Sequence, residues 1–247
     1  MPYSISRINL FKSCRRAYQL KYIEGLRPVE TADALEIGKN YHEKLETLYK
    51  TGELDTSDLS KESAMAAAYK KYIYPQLDVV SVEEWTDLVL DDETIIGRPD
   101  GMTASGKLIE HKTTSMDPLE FEYDLQWNEQ ILLYMVMTHT RDAYFTVCRK
   151  PTIRLKKNET EEDFFNRMVV WYDEDTDSKI KIIHVNRTDQ EVDEFVWGLR
   201  EMIGEMKRCK YFYRNTSYCK HWGRRCEYAS VCMHYDPNQE YVEFVKE

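Results

Sequence analysis

The sequence is poor in the residues that make flexible chain. Nine glycines and 7 prolines among 247 residues leave no long linker. No run of about 18 apolar residues occurs, so no membrane-spanning helix is expected. The first twenty residues, MPYSISRINLFKSCRRAYQL, mix charge into their apolar stretch and offer no small-residue cleavage site, so a signal peptide is not expected and the expected compartment is the cytoplasm. Positive charge is also short: 34 Lys and Arg against 44 Asp and Glu give a net charge of -10. That balance excludes a uniformly basic nucleic-acid binder, but not a segregated one. With 42% hydrophobic and 32% charged residues the chain suits an ordinary globular protein. Its length allows one sizeable core with insertions or a small appendage.

The charge is in fact segregated. Residues 1–28 carry six basic side chains and one acid, Glu24, and residues 207–225 carry seven basic side chains and no acid. Brought together, these segments would form a cationic patch on an acidic body.

Six cysteines are present, and in a reducing compartment a cysteine cluster points to a metal or redox site before it points to disulfides. The tail reads Cys219-x6-Cys226-x5-Cys232. An iron–sulfur cluster takes four thiolates, and Cys14 is the natural fourth. Cys209 or His221 could stand in for Cys219, and a tetrahedral zinc site is the competing chemistry. Cys148 reads as a buried strand residue and Cys209 as a free thiol near a helix end.

Periodicity sketches a mixed α/β core with a helical N-terminal region and a cysteine-rich end. Ser4 or Ser6 caps a helix running to about residue 22, and further helices are expected over 33–49 and from 57–60 to 74. Residues 85–90, 94–98 and 107–112 read as three strands of an antiparallel meander. A helix over 119–138, short strands over 143–148 and 152–155, a helix through 171, a strand over 179–185 and a helix to about 206 follow. One domain is expected over residues 1–247: a helical region with Cys14 (1–75), a catalytic α/β core (85–187), and a helix plus cysteine segment (188–236).

The most informative pattern is Gly-Arg-Pro-Asp-Gly (97–101) followed by Ile-Glu-His-Lys-Thr-Thr (109–114). Glu110 and Lys112 are two residues apart on a strand and share a face. A short turn brings Asp100 alongside Glu110. Two carboxylates aimed at one point make a hard oxygen site suited to Mg²⁺ or Mn²⁺. A lysine beside them can position water or offset charge developing at phosphorus. The His111 carbonyl is available as a further ligand.

Pro99-Asp100…Glu110-His111-Lys112 resembles the signature of the PD-(D/E)XK nuclease superfamily. Three further stretches resemble its RecB-like branch: Gly38-Lys-Asn-Tyr-His42, Gln130-Ile-Leu-Leu-Tyr134, and Ser4-x-Ser6-x4-Phe11-x2-Cys14-x3-Tyr18. The last is similar to the N-terminal helix of members that carry an iron–sulfur cluster, such as the CRISPR-adaptation exonucleases and the AddB nuclease domain. The resemblance implies a restriction-endonuclease-like mixed sheet flanked by helices. It implies a Mg²⁺- or Mn²⁺-dependent deoxyribonuclease with His42, Asp100, Glu110 and the His111 carbonyl as metal ligands, and with Lys112, Gln130 and Tyr134 completing the catalytic set. It also implies a [4Fe–4S] cluster on Cys14, Cys219, Cys226 and Cys232 that clasps the two chain ends, although the spacing of the first two late cysteines is wider than the commonest pattern.

That clasp would gather Arg15, Arg16, Arg224 and Arg225 near Tyr211, Phe212, Tyr213, Tyr218 and Trp222, a combination suited to single-stranded DNA, although the aromatics equally suit packing around the cluster. The function so implied is an exonuclease on single strands or DNA ends, from a bacterium or a phage, in recombination, repair, replication or CRISPR adaptation, with a helicase or recombination factor as its partner. The alternatives are a structure-specific endonuclease of the same superfamily, a non-catalytic DNA-binding subunit, or a zinc-binding interaction module.

Overall fold

The computed structural model describes residues 2–28, 33–221, 224–233 and 244–246. Ser4 opens helix α1 (Ile5–Ser13) by accepting the Arg7 N–H at 3.3 Å. The helix expected to reach residue 22 is broken at Cys14, whose backbone is extended (φ -158°, ψ 110°), and it resumes as α2 (Arg15–Tyr18) and a π-helical turn (Gln19–Ile23). The short strand β1 (Leu26–Pro28) follows. Helix α3 (Asp33–Thr51) buries Tyr41, Leu45 and Leu48 along one stripe. Helix α4 (Lys61–Tyr72) begins where Ser60 accepts the Ser63 N–H at 3.1 Å, and a 3-10 turn containing Pro75 follows it.

Five strands come next: β2 (Val79–Val82), β3 (Thr86–Leu90), β4 (Glu93–Gly97), β5 (Gly101–Thr103) and β6 (Leu108–Thr114). The expected three-strand meander is not what forms. Strands β3 and β4 make a two-stranded sheet of their own around Asp91 and Asp92, both at positive φ, and β6 pairs instead with β5 and a later strand. Pro99 lacks an N–H, so the β4 ladder cannot run on through the turn. Gly101 then lets β5 lie close to β2, since a Cβ there would sit 3.1 Å from the Ser81 carbonyl oxygen.

The expected 119–138 helix is two helices, α5 (Pro118–Leu125) and α6 (Glu129–Thr138), because Asn128 caps a fresh start by accepting the Ile131 N–H. Strand β7 (Asp142–Arg149), helix α7 (Glu161–Asp173), strand β8 (Ile180–Asn186) and helix α8 (Asp189–Arg208) match the expected sequence of elements. Residues 152–155 are irregular rather than a strand. The described residues of the tail form short pieces: β9 (Lys220–His221), β10 (Arg224–Arg225), α9 (Ala229–Met233) and β11 (Phe244–Lys246).

By its internal contacts the chain divides into two compact units. Asp33–Leu88 with Gly97–Phe195 holds a five-stranded sheet in the order β2-β5-β6-β7-β8. Its pairs are antiparallel except for β6 and β7, which run parallel through the α5–α6 crossover. This is a mixed α/β fold with helices against the sheet. Leu108 through His111 on the central β6 are all buried, as expected of a strand covered on both faces. The core packs α3 and α4 residues (Tyr41, Leu45, Leu48, Met65, Tyr69) with Cys148 of β7, Tyr172 of α7 and Ile180 of β8. Cys148 is buried on a strand, as expected.

The second unit, Met1–Ala32, Val89–Ile96 and Val196–Glu247, holds the N-terminal helices, the tail and the two-stranded β1–β11 and β9–β10 sheets. Its apolar centre includes Cys14, Ala17, Leu20, Tyr228 and Cys232. No helix among the described residues is long and apolar enough to cross a membrane.

Gly97 closes β4 against α6: a Cβ there would meet the Tyr134 ring at 2.6 Å and the Met137 sulfur at 3.0 Å. Gly97→Ala is expected to lower stability by about 1–3 kcal/mol through overpacking, read as a lower urea midpoint with an unchanged slope.

Candidate active site

The centre of the site is the β6 strand. Alternation sends Glu110 and Lys112 to one face and His111 to the other. On the first face Lys112 Nζ lies 2.6 Å from Glu110 Oε1 and 3.2 Å from Gln130 Oε1 on α6. Gln130 Nε2 donates to the Tyr134 hydroxyl at 3.0 Å, and Tyr134, one helical turn later, donates to the Arg98 carbonyl at 3.2 Å. The Gln130–Tyr134 pair therefore braces Lys112 against the turn that carries Asp100. Tyr134 is 5% exposed, which suits bracing rather than contact with a ligand.

On the other face the His111 ring sits among the core aromatics, parallel to Tyr49 at 6.4 Å and edge-on to Tyr69 at 5.2 Å, with Nδ1 2.6 Å from Thr146 Oγ1. Its backbone serves the site. The His111 N–H donates to Asp100 Oδ2 at 2.6 Å, and His42 Nε2 of α3 lies 3.1 Å from the His111 carbonyl oxygen. His42 Nδ1 lies 3.2 Å from Asp100 Oδ1.

Glu83, which no motif pointed to, joins this group. One ligand atom each from His42, Glu83 and Asp100 lie within 4.8 Å of one another. The Glu83 N–H donates to the Asp100 carbonyl at 3.2 Å, and the Arg98 Nε is 2.7 Å from Glu83 Oε2. Glu83 has φ 54°, a left-handed conformation that costs a non-glycine residue about 1–3 kcal/mol and clusters at functional sites. Sequence reasoning passed over it because Glu83 and Glu84 stand outside every recognised motif and no strand was expected over 79–82 to aim either of them. The β2–β5 pairing that places it beside Asp100 was itself not anticipated.

The charges are set by burial and by one another. Burial pushes Asp100 up, but the His42 hydrogen bond and charge, with the His111 N–H, hold it down at about 2. Burial and the Asp100 charge push Glu110 up to about 7 against the pull of Lys112. Burial pulls His42 down, and Asp100 more than reverses this. Lys112 is pulled down by burial and raised overall by Glu110 and Asp100, so it stays a cation. Burial drops His111 to about 4, leaving its ring neutral.

This donor set fits a hard divalent cation. Glu110 is 2% exposed, and its Oε2 has no hydrogen-bond partner, an arrangement that costs free energy unless a cation or water meets it. A cleft of about 570 Å³ opens over His42, Glu83 and Asp100, with Glu43 and Glu46 also on its wall. Lys39, Arg98 and Lys150 stand on the same wall, so the cleft is mixed in charge around its carboxylates.

Five of the six cysteines, all but Cys148, lie within the second unit. Cys14, Cys226 and Cys232 share one apolar cluster, and the Cys226 N–H donates to the Cys219 carbonyl at 2.9 Å. Burial, with the charges of Cys14, Glu227 and Cys219, pushes the Cys226 thiol up to about 11. Among the described residues the 4.8 Å ligand distance is met by His42, Glu83 and Asp100 and not by the cysteines. Cys209 follows the end of α8, 4.0 Å from Arg15 Nη1.

The two basic segments do meet, with the Arg16 N–H on the Tyr213 carbonyl and the Asn215 side chain on the Ser13 carbonyl. Arg15 and Arg16 are engaged, however. Arg15 pairs with Glu205 and covers the Phe11 and Tyr213 rings, and Arg16 binds Gln19 and Glu24. Phe212 stacks on Tyr18 and Tyr218 packs on the cysteine cluster, while Tyr211 and Tyr213 are exposed. Arg225 ends β10. Trp222 and the side chains of His221 and Arg224 lie outside the described residues.

A family model described as the PD-(D/E)XK nuclease superfamily matches residues 2–86 and 65–233. No curated protein matches the sequence. Among solved structures, a candidate exonuclease from Eubacterium rectale aligns over 98% of this chain and 91% of its own, at 14% identity and a TM-score of 0.56. An alkaline exonuclease, LHK-Exo, from Laribacter hongkongensis aligns over 82% of this chain and 94% of its own, at 17% identity and a TM-score of 0.35. The likeness to the first of these is one of fold.

Glu110 supplies a pH test. Its folded pKa of about 7 exceeds its ordinary value of 4.5, so ionising it in the metal-free protein works against folding. The stability it contributes is full below about pH 4.5 and is lost as pH rises through about 7. With EDTA present, Glu110→Gln is expected to raise the melting temperature. The gain should be small at pH 4.5, grow to about pH 7 and stay level above; a gain that shrinks with pH would contradict this assignment.

Proposed function

The chain belongs to the PD-(D/E)XK nuclease superfamily, and from that premise we propose that it is a divalent-metal-dependent deoxyribonuclease of the RecB-like branch that trims single-stranded DNA or DNA ends. The observation that carries this reading is the Asp100 carboxylate held between His42 and the His111 N–H, with Glu83 beside it and the unpartnered oxygen of Glu110 on the neighbouring strand. His42, Glu83, Asp100, Glu110 and the His111 carbonyl would hold Mg²⁺ or Mn²⁺.

When bound, such an ion supplies Lewis acidity to the phosphodiester and lowers the pKa of water. The protein's own groups do the rest. Lys112 Nζ, kept cationic by Glu110 and Asp100, orients the attacking water and offsets charge gathering on the phosphoryl oxygens. Gln130 and Tyr134 fix the lysine's direction, and His42 and the His111 amide fix that of Asp100. The His42 and Gln130–Tyr134 placements support the RecB-like assignment, since both reach the atoms that this branch's motifs would require.

A cleavage assay on end-labelled single- and double-stranded DNA with Mg²⁺ or Mn²⁺ tests the reading. Asp100→Ala is expected to abolish cleavage, and Lys112→Ala to reduce kcat by about 10²–10³. Activity that survives both substitutions removes the site. Linear single strands should be shortened from an end while circular ones persist.

We also propose that Cys14, Cys219, Cys226 and Cys232 hold a structural iron–sulfur cluster. The support is their donor chemistry and their shared neighbourhood, with three in one apolar cluster and the fourth tied to Cys226 through the backbone. Anaerobically purified protein is expected to be brown and to contain iron and sulfide, and Cys232→Ala to bleach it. Colourless protein with stoichiometric zinc would overturn the cluster.

A further inference from the structure

Trp85 takes no part in the site described above, yet it stands beside it. The ring is 68% exposed. Isolated exposed apolar side chains are ordinary, but this one is held in place. The Arg98 guanidinium lies over the indole with its central carbon 5.4 Å from the ring centroid, a cation–π arrangement. Arg98 in turn is fixed at both ends, its Nε against Glu83 Oε2 at 2.7 Å and its carbonyl accepting from Tyr134. Its side chain is 46% exposed and borders the cleft over His42, Glu83 and Asp100. A guanidinium carries five N–H donors in a planar fork, so one engaged with a carboxylate through Nε keeps donors for an anion.

We propose that Arg98 and Trp85 form a nucleotide-binding step at the mouth of the metal cleft, Arg98 taking a backbone phosphate and Trp85 stacking the unpaired base attached to it. The proposal rests on the nuclease reading and adds the residues that hold its single-stranded substrate. An aromatic platform reads the face of a base, and in a duplex both faces are covered by neighbouring pairs, so a single strand or a frayed end is what fits. The cleft wall is mixed in charge, with Lys39 and Lys150 on it beside Glu43 and Glu46, and Arg98 gives a phosphate at its mouth a local partner. An exposed aromatic pair elsewhere, Tyr123 on α5 and Trp127 just after it, has no cation over its rings among the described residues and is flanked by Glu120, Glu122 and Asp124.

The experiment uses the full chain with two single strands of equal length, one of deoxythymidine and one with abasic residues interspersed. Trp85→Ala is expected to raise KM for the normal strand by on the order of ten- to a hundredfold, to change kcat less, and to erase discrimination between the strands. Trp85→Phe should keep most of that discrimination. Arg98→Lys should weaken both strands alike. Trp127→Ala should behave as wild type, and Mn²⁺ binding by Trp85→Ala, measured calorimetrically, should be unchanged.

The proposal is overturned if Trp85→Ala still distinguishes the strands, if its Mn²⁺ affinity falls with its activity, or if Trp127→Ala shows the same loss. If wild type cleaves neither strand, the nuclease reading fails by itself. Fluorescence anisotropy with the same labelled strands then decides the binding step by the same criterion.

Discussion

The hydrogen bond from the His111 N–H to Asp100 Oδ2, 2.6 Å long and buried, is the constraint from which the site follows. It ties the turn after β4 to the central strand of the sheet and aims a carboxylate that would otherwise swing with its loop. The same residue anchors that strand, because its ring is locked among Tyr49, Tyr69 and Thr146. Its carbonyl meets His42 from α3. One residue thus joins the core, helix α3 and the acidic turn. This is why a histidine whose ring points away from the site still belongs to it.

Around that bond the electrostatics are balanced without being satisfied. Asp100 is stabilised as an anion by its neighbours, and Glu110, a strand away, is pushed toward its protonated form by burial and by Asp100 itself. Lys112 compensates one oxygen of Glu110 and leaves the other without a partner. Glu83, held in a left-handed backbone conformation and paired with Arg98, brings a third carboxylate to the group, so the unmet acceptor on Glu110 is the local deficit. A fold keeps such an arrangement when a cation completes it. The chemistry proposed for the site is the use of that deficit: a divalent ion restores balance and presents its remaining field to a phosphodiester.

The tail region follows a different logic. Arg15 and Arg16 looked like DNA contacts while the only information was their density in a basic segment. In three dimensions Glu205 and Glu24 answer them, and aromatic rings cover Arg15. Charge density along a chain does not say which cations remain for a ligand, because the partners come from remote segments. Arg98 shows the converse. It too has an acid partner and a ring beneath it, but its side chain is 46% exposed where those of Arg15 and Arg16 are 23% and 24%, so more of its guanidinium stays open to a phosphate.

The sequence by itself determined the parts that depend on local spacing. Two-residue alternation put Glu110 and Lys112 on one face of a strand, four-residue spacing put Gln130 and Tyr134 on one side of a helix, and Pro99 stopped the strand just before Asp100. Those constraints are covalent and short-range, so they read directly. Only the tertiary structure decided what met them. It replaced the expected meander with a sheet in which β6 lies between β5 and β7, because a Pro-Asp-Gly turn ends one ladder and starts another. That change of pairing brought β2 beside β5 and with it Glu83, which no spacing rule connects to Asp100. Contacts between segments far apart in the chain depend on which strands pair, and pairing is settled by the whole core rather than by any one motif.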